Sequence, residues 1–340
     1  MWWREVGKRL AVLVLTVAVV VAVASVGPTL LAPEDEERAA LENPEYEPDS
    51  VAPDPFAATG TIDPDTVSGA TENGTVLIDR GHANRFTRAD IEPLVDALVR
   101  RGFSVEFYTS GDLAAQLEDA DTFLVIDPGT EYLPGDVDDV RQFTGNGGHL
   151  VMVGEPDRTA ISSSLFGTAI QNQESRLTAL ASRYGMSVDT RYLYNQEHAD
   201  GTFKHIVVRP TAQGNVDGVE RATMYTAAAV TTRRGTVLLR SAPNTHKSGS
   251  DEVTGEYPVA VRTENTVLLG DKTFLRGDRY NVADNEEFVA YLVEFVIQGD
   301  NRTPADEDDE ADGSDEPATP TPTPTPAPTP TPTSAPTSAD

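Results

Sequence analysis

The chain has 340 residues, more than one average domain, but most of its 24 prolines fall in two flanks, so a single folded unit is expected. Acidic side chains outnumber basic ones 55 to 26, and the net charge of −29 repels a phosphate backbone, which excludes a basic nucleic-acid groove. There is no cysteine, so disulfides, thiolate metal sites and a cysteine nucleophile are excluded as well.

Only four lysines (Lys8, Lys204, Lys247, Lys272) accompany 22 arginines. An acidic, lysine-poor surface stays hydrated in concentrated salt, where its self-repulsion is screened. The charge therefore reads as a halophilic environment rather than as an activity.

Residues 1–9 form a short basic N-terminus with Arg4, Lys8 and Arg9, and residues 10–32 follow without a charge. Twenty-three apolar residues suffice for one tilted membrane crossing. The bases before this segment and Glu34–Glu37 after it predict a cytoplasmic N-terminus and an extracellular main domain. Trp2 and Trp3 suit the interface. The segment exceeds the usual apolar core of a cleaved signal peptide, so a retained signal-anchor is expected.

Residues 33–72 are acidic and proline-rich and read as an extended tether. Residues 301–340 form a second such flank. From 303 onward it holds nine acids and no base, and then a Thr-Pro repeat from Thr319. That composition fits either an O-glycosylated stalk or an unmodified disordered tail. The sequons at Asn73 and Asn301 bracket the folded region 73–300, where an exported domain would expose them.

Inside that region the signals alternate. Thr75–Asp79 reads as a buried strand, and residues 90–101 as a helix with Ile91, Leu94, Val95, Leu98 and Val99 on one face. Thr87 with Asp90 has the spacing of a capping box, and Gly102 supplies the stop. Strands at 103–107, 122–127 and 150–153 alternate with helices at 113–117 and 137–143, the pattern of a parallel sheet covered on both faces. Gly147 and Gly148 read as the turn into a strand, since no Lys-Ser/Thr follows to complete a phosphate loop.

A helix at 174–184 precedes closely spaced strands at 205–209, 227–231, 236–240, 259–263 and 267–269, which suggests antiparallel additions. Asp284 and Asn285 look like the cap of a last helix with Phe288, Tyr291, Leu292, Phe295 and Val296 as its apolar stripe. The expected fold is α/β: a parallel core with antiparallel additions, after one transmembrane helix and before a disordered tail.

The order of motifs adds a resemblance. Val76-Leu77-Ile78-Asp79 leads into Gly81-His82-Ala83-Asn84-Arg85-Phe86. Then come Gly102-Phe103-Ser104-Val105, Gly147-Gly148-His149-Leu150-Val151-Met152-Val153-Gly154, Leu268-Leu269-Gly270-Asp271 and Ala283-Asp284-Asn285-Glu286-Glu287-Phe288. Over about residues 73–298 the chain resembles a membrane-anchored class I glutamine amidotransferase-like domain of archaea and bacteria, a domain of unknown function. It is also similar to the α/β domains of gliding-type ABC-transport accessory proteins and of an intraflagellar-transport subunit. The resemblance implies a flavodoxin- or amidotransferase-like core and, with the composition, a haloarchaeal source.

True class I amidotransferases place a cysteine at a strand-to-helix elbow. Gly154-Glu155-Pro156 is the equivalent turn here, and without cysteine the thiolate route to glutamine hydrolysis is excluded. Ser162, Ser163 and Ser164 lack the Gly-x-Ser-x-Gly context of a nucleophile elbow and read as a flexible loop.

Ligands of parallel α/β sheets bind beyond the carboxyl ends of the strands. Those ends carry Asp79, Asp127, Glu155 with Asp157, and Asp271, which could converge on a hard cation if the strands adjoin. In so acidic a chain several strand ends are acidic by chance, and no metal site is assigned. The loop Asp79-Arg80-Gly81-His82-Ala83-Asn84-Arg85 offers a carboxylate, an imidazole, an amide and a guanidinium for a polar ligand, or for the loop's own backbone.

The candidate ligand-binding residues are therefore Asp79, His82, Asn84, Arg85, Glu155 and Asp271, with no catalytic residue and no cofactor assigned. His198 and His205 have no zinc spacing, and His149 reads as structural. The expected role is a single-pass, extracytoplasmic binding or scaffolding protein with a catalytically inactive domain, taking an unknown protein partner or a small polar ligand. The alternatives are a hydrolase using Asp79, His82 and Asp271, with or without a metal, and an accessory subunit of a transport or envelope-assembly complex.

Overall fold

A computed structural model describes residues 73–164 and 167–299, together with positions 15, 16, 56, 60 and 62. The described fold belongs to the unit Phe56–Asp340. Most of the apolar segment 10–32, most of the tether 33–72 and the tail 301–340 lie outside the described residues. Among those described, no helix is long and apolar enough to cross a membrane.

The first half runs β1 Thr75–Asp79, α1 Glu92–Arg100, β2 Ser104–Tyr108, α2 Leu113–Glu118, β3 Thr122–Ile126, α3 Pro134–Gly145 and β4 His149–Val153. Then follow β5 Arg158–Ser164, β6 Gly167–Gln173, α4 Thr178–Arg183, β7 Met186–Tyr194, β8 Ala199–Asp200, β9 Thr202–Pro210 and β10 Ala222–Tyr225. The chain closes with β11 Ala228–Thr232, β12 Thr236–Ser241, β13 Thr245–Lys247, β14 Ser250–Gly255, β15 Pro258–Arg262, β16 Thr266–Leu269 and α5 Asn285–Ile297.

A ten-stranded sheet has the order β10-β9-β12-β15-β16-β4-β3-β1-β2, with β8 pairing β9 off this path. The five strands β2, β1, β3, β4 and β16 are mutually parallel, and β15, β12, β9 and β10 add antiparallel. Alternation along the strands explains the two helical layers, because successive side chains point to opposite faces. Val76 and Ile78 of β1 join Leu94 and Leu98 of α1 and Phe288, Leu292 and Val296 of α5 on one face. Leu77 of β1 and Phe123 of β3 join Leu117 of α2, Val140 of α3 and Leu180 of α4 on the other.

Local signals explain the element ends. The Asp90 carboxylate accepts hydrogen bonds from the Thr87 backbone N–H at 2.7 Å and hydroxyl at 2.9 Å, but the turn so capped is a short 3-10 segment, and α1 starts after it. A Cβ at Gly148 would lie 2.3 Å from the buried Phe143 ring, so any larger residue there would have to displace that ring. His149 is structural as expected: its Nδ1 donates to the Phe295 carbonyl at 2.6 Å, its ring stacks on Phe295, and burial lowers its pKa.

The second half departs from expectation at several points. Ser162, Ser163 and Ser164 belong to β5, which pairs with β6 in a separate two-stranded hairpin, rather than to a loop. The helix expected from 174 begins at Thr178. Strands β7, β11, β13 and β14 form a second sheet in the order β11-β7-β13-β14. The Asp284 carboxylate does not cap α5. It accepts the backbone N–H groups of Glu220 at 2.8 Å and Arg221 at 2.7 Å, while Asn285 accepts from Thr223 N–H at 2.8 Å, so this corner holds the approach to β10.

Candidate functional site at the carboxyl ends of the parallel strands

The order β2-β1-β3-β4-β16 places β1 and β3 side by side with their following connections leaving in opposite directions, which is where an open α/β sheet forms its crevice. Asp79, the last residue of β1, is fully buried there. His82 Nδ1 lies 3.1 and 3.0 Å from its two carboxylate oxygens, and the Gly81 N–H donates to it at 3.0 Å. Tyr132, from the loop after β3, donates its hydroxyl to the same carboxylate in a short contact.

The Tyr132 ring also stacks on the His82 imidazole with centroids 3.7 Å apart. On the far side, His82 Nε2 is 3.6 Å from Asp136 Oδ2, and that carboxylate accepts the Leu133 N–H at the start of α3. Burial by itself lowers the His82 pKa, but the hydrogen bond and charge of Asp79 and then those of Asp136 outweigh it, and the net direction is upward. Burial, followed by the Asp79 charge, pushes the Tyr132 hydroxyl well above its ordinary range, so it stays a neutral donor.

Arg85 faces a second carboxylate. Its Nη2 donates to Asp127 Oδ1 at 2.6 Å and to the Glu174 carbonyl at 2.8 Å. Lys272 Nζ reaches Asp127 Oδ2 at 2.7 Å and also contacts the Arg85 carbonyl, so two cations enclose one buried acid. Asp127 adopts a left-handed backbone at φ 44, which orients its side chain off the end of β3. Asn84 donates to the Ile126 carbonyl at 3.0 Å, while its Oδ1 is buried with no hydrogen-bond partner.

Glu155 lies over the ends of β4 and β16. It accepts the Lys272 N–H at 2.9 Å and contacts Arg158 closely. Burial, together with the charge of Asp271, nonetheless pushes its pKa up to about 8. Asp271 is fully buried and accepts from Thr273 N–H at 2.9 Å, the Thr273 hydroxyl and Tyr225 N–H at 2.9 Å. Burial raises its pKa as well.

The expected residues thus fall into three groups along one edge rather than one constellation: Asp79 with His82, Asn84 and Arg85 toward Asp127, and Glu155 beside Asp271. Asp271 is separated from Asp79 by β4 and β3, about 14 Å at ordinary strand spacing, so an Asp79–His82–Asp271 triad is not assembled. Asp157 is exposed. The strand-end acids do not converge on a cation, and no cluster of three or more metal-ligating side chains occurs among the described residues. The Gly154-Glu155-Pro156 turn leads into β5 and not into a helix, so the geometry of a strand-to-helix elbow is absent at that point.

Asp127, which the sequence marks only as a strand-end acid, completes the edge with Tyr132, Asp136, Arg158 and Lys272, which sequence reasoning does not single out. Lys272 has a usable signal, being one of four lysines and directly following a strand-end acid.

An open mixed sheet covered by helices on both faces, with a polar network along its parallel carboxyl edge, defines a mixed α/β domain. The chain belongs to the family described as Domain of unknown function (DUF4350), whose model matches residues 91–293. Among solved structures it is similar to the mmIFT52 N-terminal domain, with 11% identity, a TM-score of 0.53, and coverage of 66% of this chain and 98% of that one. A cytoplasmic protein from Salmonella typhimurium has 14% identity and a TM-score of 0.40, covering 64% of this chain and 98% of that one. A ThuA-like protein from Parabacteroides merdae has 10% identity and a TM-score of 0.36, covering 67% of this chain and 89% of that one. No curated protein matches the sequence.

Proposed function

We propose that the chain is a single-pass, extracytoplasmic binding or scaffolding protein of a haloarchaeal envelope, with a catalytically inactive, amidotransferase-like α/β domain. The observation that carries the non-catalytic reading is the state of the strand-end groups. Both ring nitrogens of His82 face carboxylates, which favours the imidazolium and leaves no free lone pair for a general base. Asp127 is enclosed by Arg85 and Lys272, and Asp271 by Thr273 and Tyr225.

The reading of location rests on the charge-free segment 10–32, with bases before it and acids after it. Protease treatment of intact cells expressing the full chain tests this location. Removal of residues beyond 33 from intact cells, with a membrane-retained N-terminal stub, is the expected result. Protection until the cells are broken, or recovery of the unprocessed chain in the soluble fraction, would overturn the proposal.

A further inference from the structure

At the opposite end of the parallel strands, three chain segments line a cleft of about 870 Å³: Ser182–Gly185 at the end of α4, Arg233–Thr236 leading into β12, and Arg262–Asn265 from the end of β15 toward β16. Backbone hydrogen bonds hold these segments within and between themselves. Arg233 N–H donates to the Gly185 carbonyl at 2.9 Å, and Thr263 N–H to the Thr266 carbonyl at 2.8 Å. Asn265 fastens the third turn to the Thr144 and Gly148 carbonyls at 2.5 and 3.2 Å.

The lining includes Arg183, Arg233, Arg234 and Arg262 against a single acid, Glu264. This concentration of positive charge occurs in a chain with 55 acids and 26 bases. Six arginines outside the cleft, Arg85, Arg158, Arg176, Arg191, Arg276 and Arg279, form ion pairs with carboxylates. Among the described residues, none of Arg183, Arg233 and Arg234 lies within ion-pair distance of a carboxylate. Arg262 is positioned differently. It donates to the Tyr291 hydroxyl at 3.1 Å and lies over the Phe295 ring at 4.7 Å, which seats the guanidinium against α5 at the cleft wall.

Guanidinium forks match the oxygens of phosphates and carboxylates two at a time, and several around one cleft favour a ligand with more than one such group. We propose that this arginine cleft binds a small, multiply charged oxyanion carrying two or more phosphate or carboxylate groups. The site is distinct from the strand-end network and independent of the membrane assignment.

The test is calorimetric titration of the detergent-solubilised full chain with inorganic pyrophosphate and, separately, with citrate, at low and at high salt. Saturable binding that weakens as salt rises is expected, with pyrophosphate or citrate preference assigning the phosphate or carboxylate class. The Arg233→Glu, Arg234→Glu double variant should lose at least tenfold in affinity with an unchanged thermal midpoint. A charge-matched Arg88→Glu, Arg209→Glu variant, altered outside the cleft, should retain binding. Absence of saturable binding of both anions, or equal losses in the two double variants, would overturn the proposal. Should the cleft variant unfold, Arg183→Gln supplies the same comparison from a second segment of the lining.

Discussion

The Tyr132 ring lies face to face with the His82 imidazole, and both residues hydrogen-bond to the one buried carboxylate of Asp79. This relationship ties the loop after β1 to the loop after β3 across the point where the sheet reverses its winding. His82 also receives the charge of Asp136 from α3, so a single side chain joins a strand end, a loop and a helix start.

Replacing His82 by Ala removes the cationic partner of a fully buried acid and the stacking partner of Tyr132. Breaking a buried pair in this way leaves an uncompensated group, so a loss of about 3 kcal/mol is expected. Chemical denaturation of the full chain measures it. An unchanged midpoint would show that the imidazole is not structural and would return His82 to ligand recognition.

The same residue sets a pH dependence. Its pKa is raised in the folded state from the ordinary 6.5, so the native state holds this proton more tightly than the unfolded chain. Its contribution to stability is fully present below 6.5 and is lost as pH rises through the folded value. Thermal midpoints between mildly acidic and mildly alkaline pH should fall with rising pH in the native chain, and fall less in His82→Ala.

Glu155 contributes with the same sign through a different cause. Burial beside Asp271 raises it from 4.5 to about 8, so deprotonation costs the folded state progressively across that interval. Glu155→Gln keeps the shape and removes the titration. The variant should be at least as stable as the native chain above pH 8, with a flatter stability profile from pH 4.5 upward. An unaltered profile would mean that Glu155 is ionised throughout against Arg158.

Asp127 serves two cations from a left-handed backbone. Asp127→Asn retains a residue type that tolerates this conformation but leaves Arg85 and Lys272 without their carboxylate, at a cost of about 3 kcal/mol. Asp127→Ala should lose more, because alanine is also strained at φ 44. Equal midpoints for the two variants would count against the strain contribution.

Gly270 joins the two sheets. Its carbonyl accepts the Ala228 N–H at 2.7 Å, and a Cβ at this position would sit 2.1 Å from the Ala228 carbonyl oxygen. Backbone cannot yield as a flexible side chain does, so Gly270→Ala should cost about 3 kcal/mol or more. A midpoint within experimental error of the native chain would place the sheets further apart than the structure has them.

The parallel half was legible because its periodicities are local. Val76, Leu77 and Ile78 form a continuous apolar run for a strand covered on both faces, and Leu94 and Leu98 recur at helical spacing. The β5–β6 hairpin was not legible, since its Ser-, Thr- and Gln-rich strands carry little apolar alternation and its Ile161 and Ile170 are exposed. The placement of Asp284 was half legible. A carboxylate before a helix satisfies N–H groups, but those it satisfies come from Glu220 and Arg221, more than sixty residues away in sequence.

Composition and local pattern alone determined the acidic character, the absence of thiol chemistry, the alternation of strands and helices, and the loop from Asp79 to Arg85 as a place of concentrated polar chemistry. Only the tertiary structure decided which acids acquire which partners. Strand order separates Asp271 from Asp79 by two intervening strands, brings Lys272 to Asp127, and gathers four arginines from three separate chain segments. Pairing across a sheet depends on contacts between distant segments, and spacing along one chain carries no record of them.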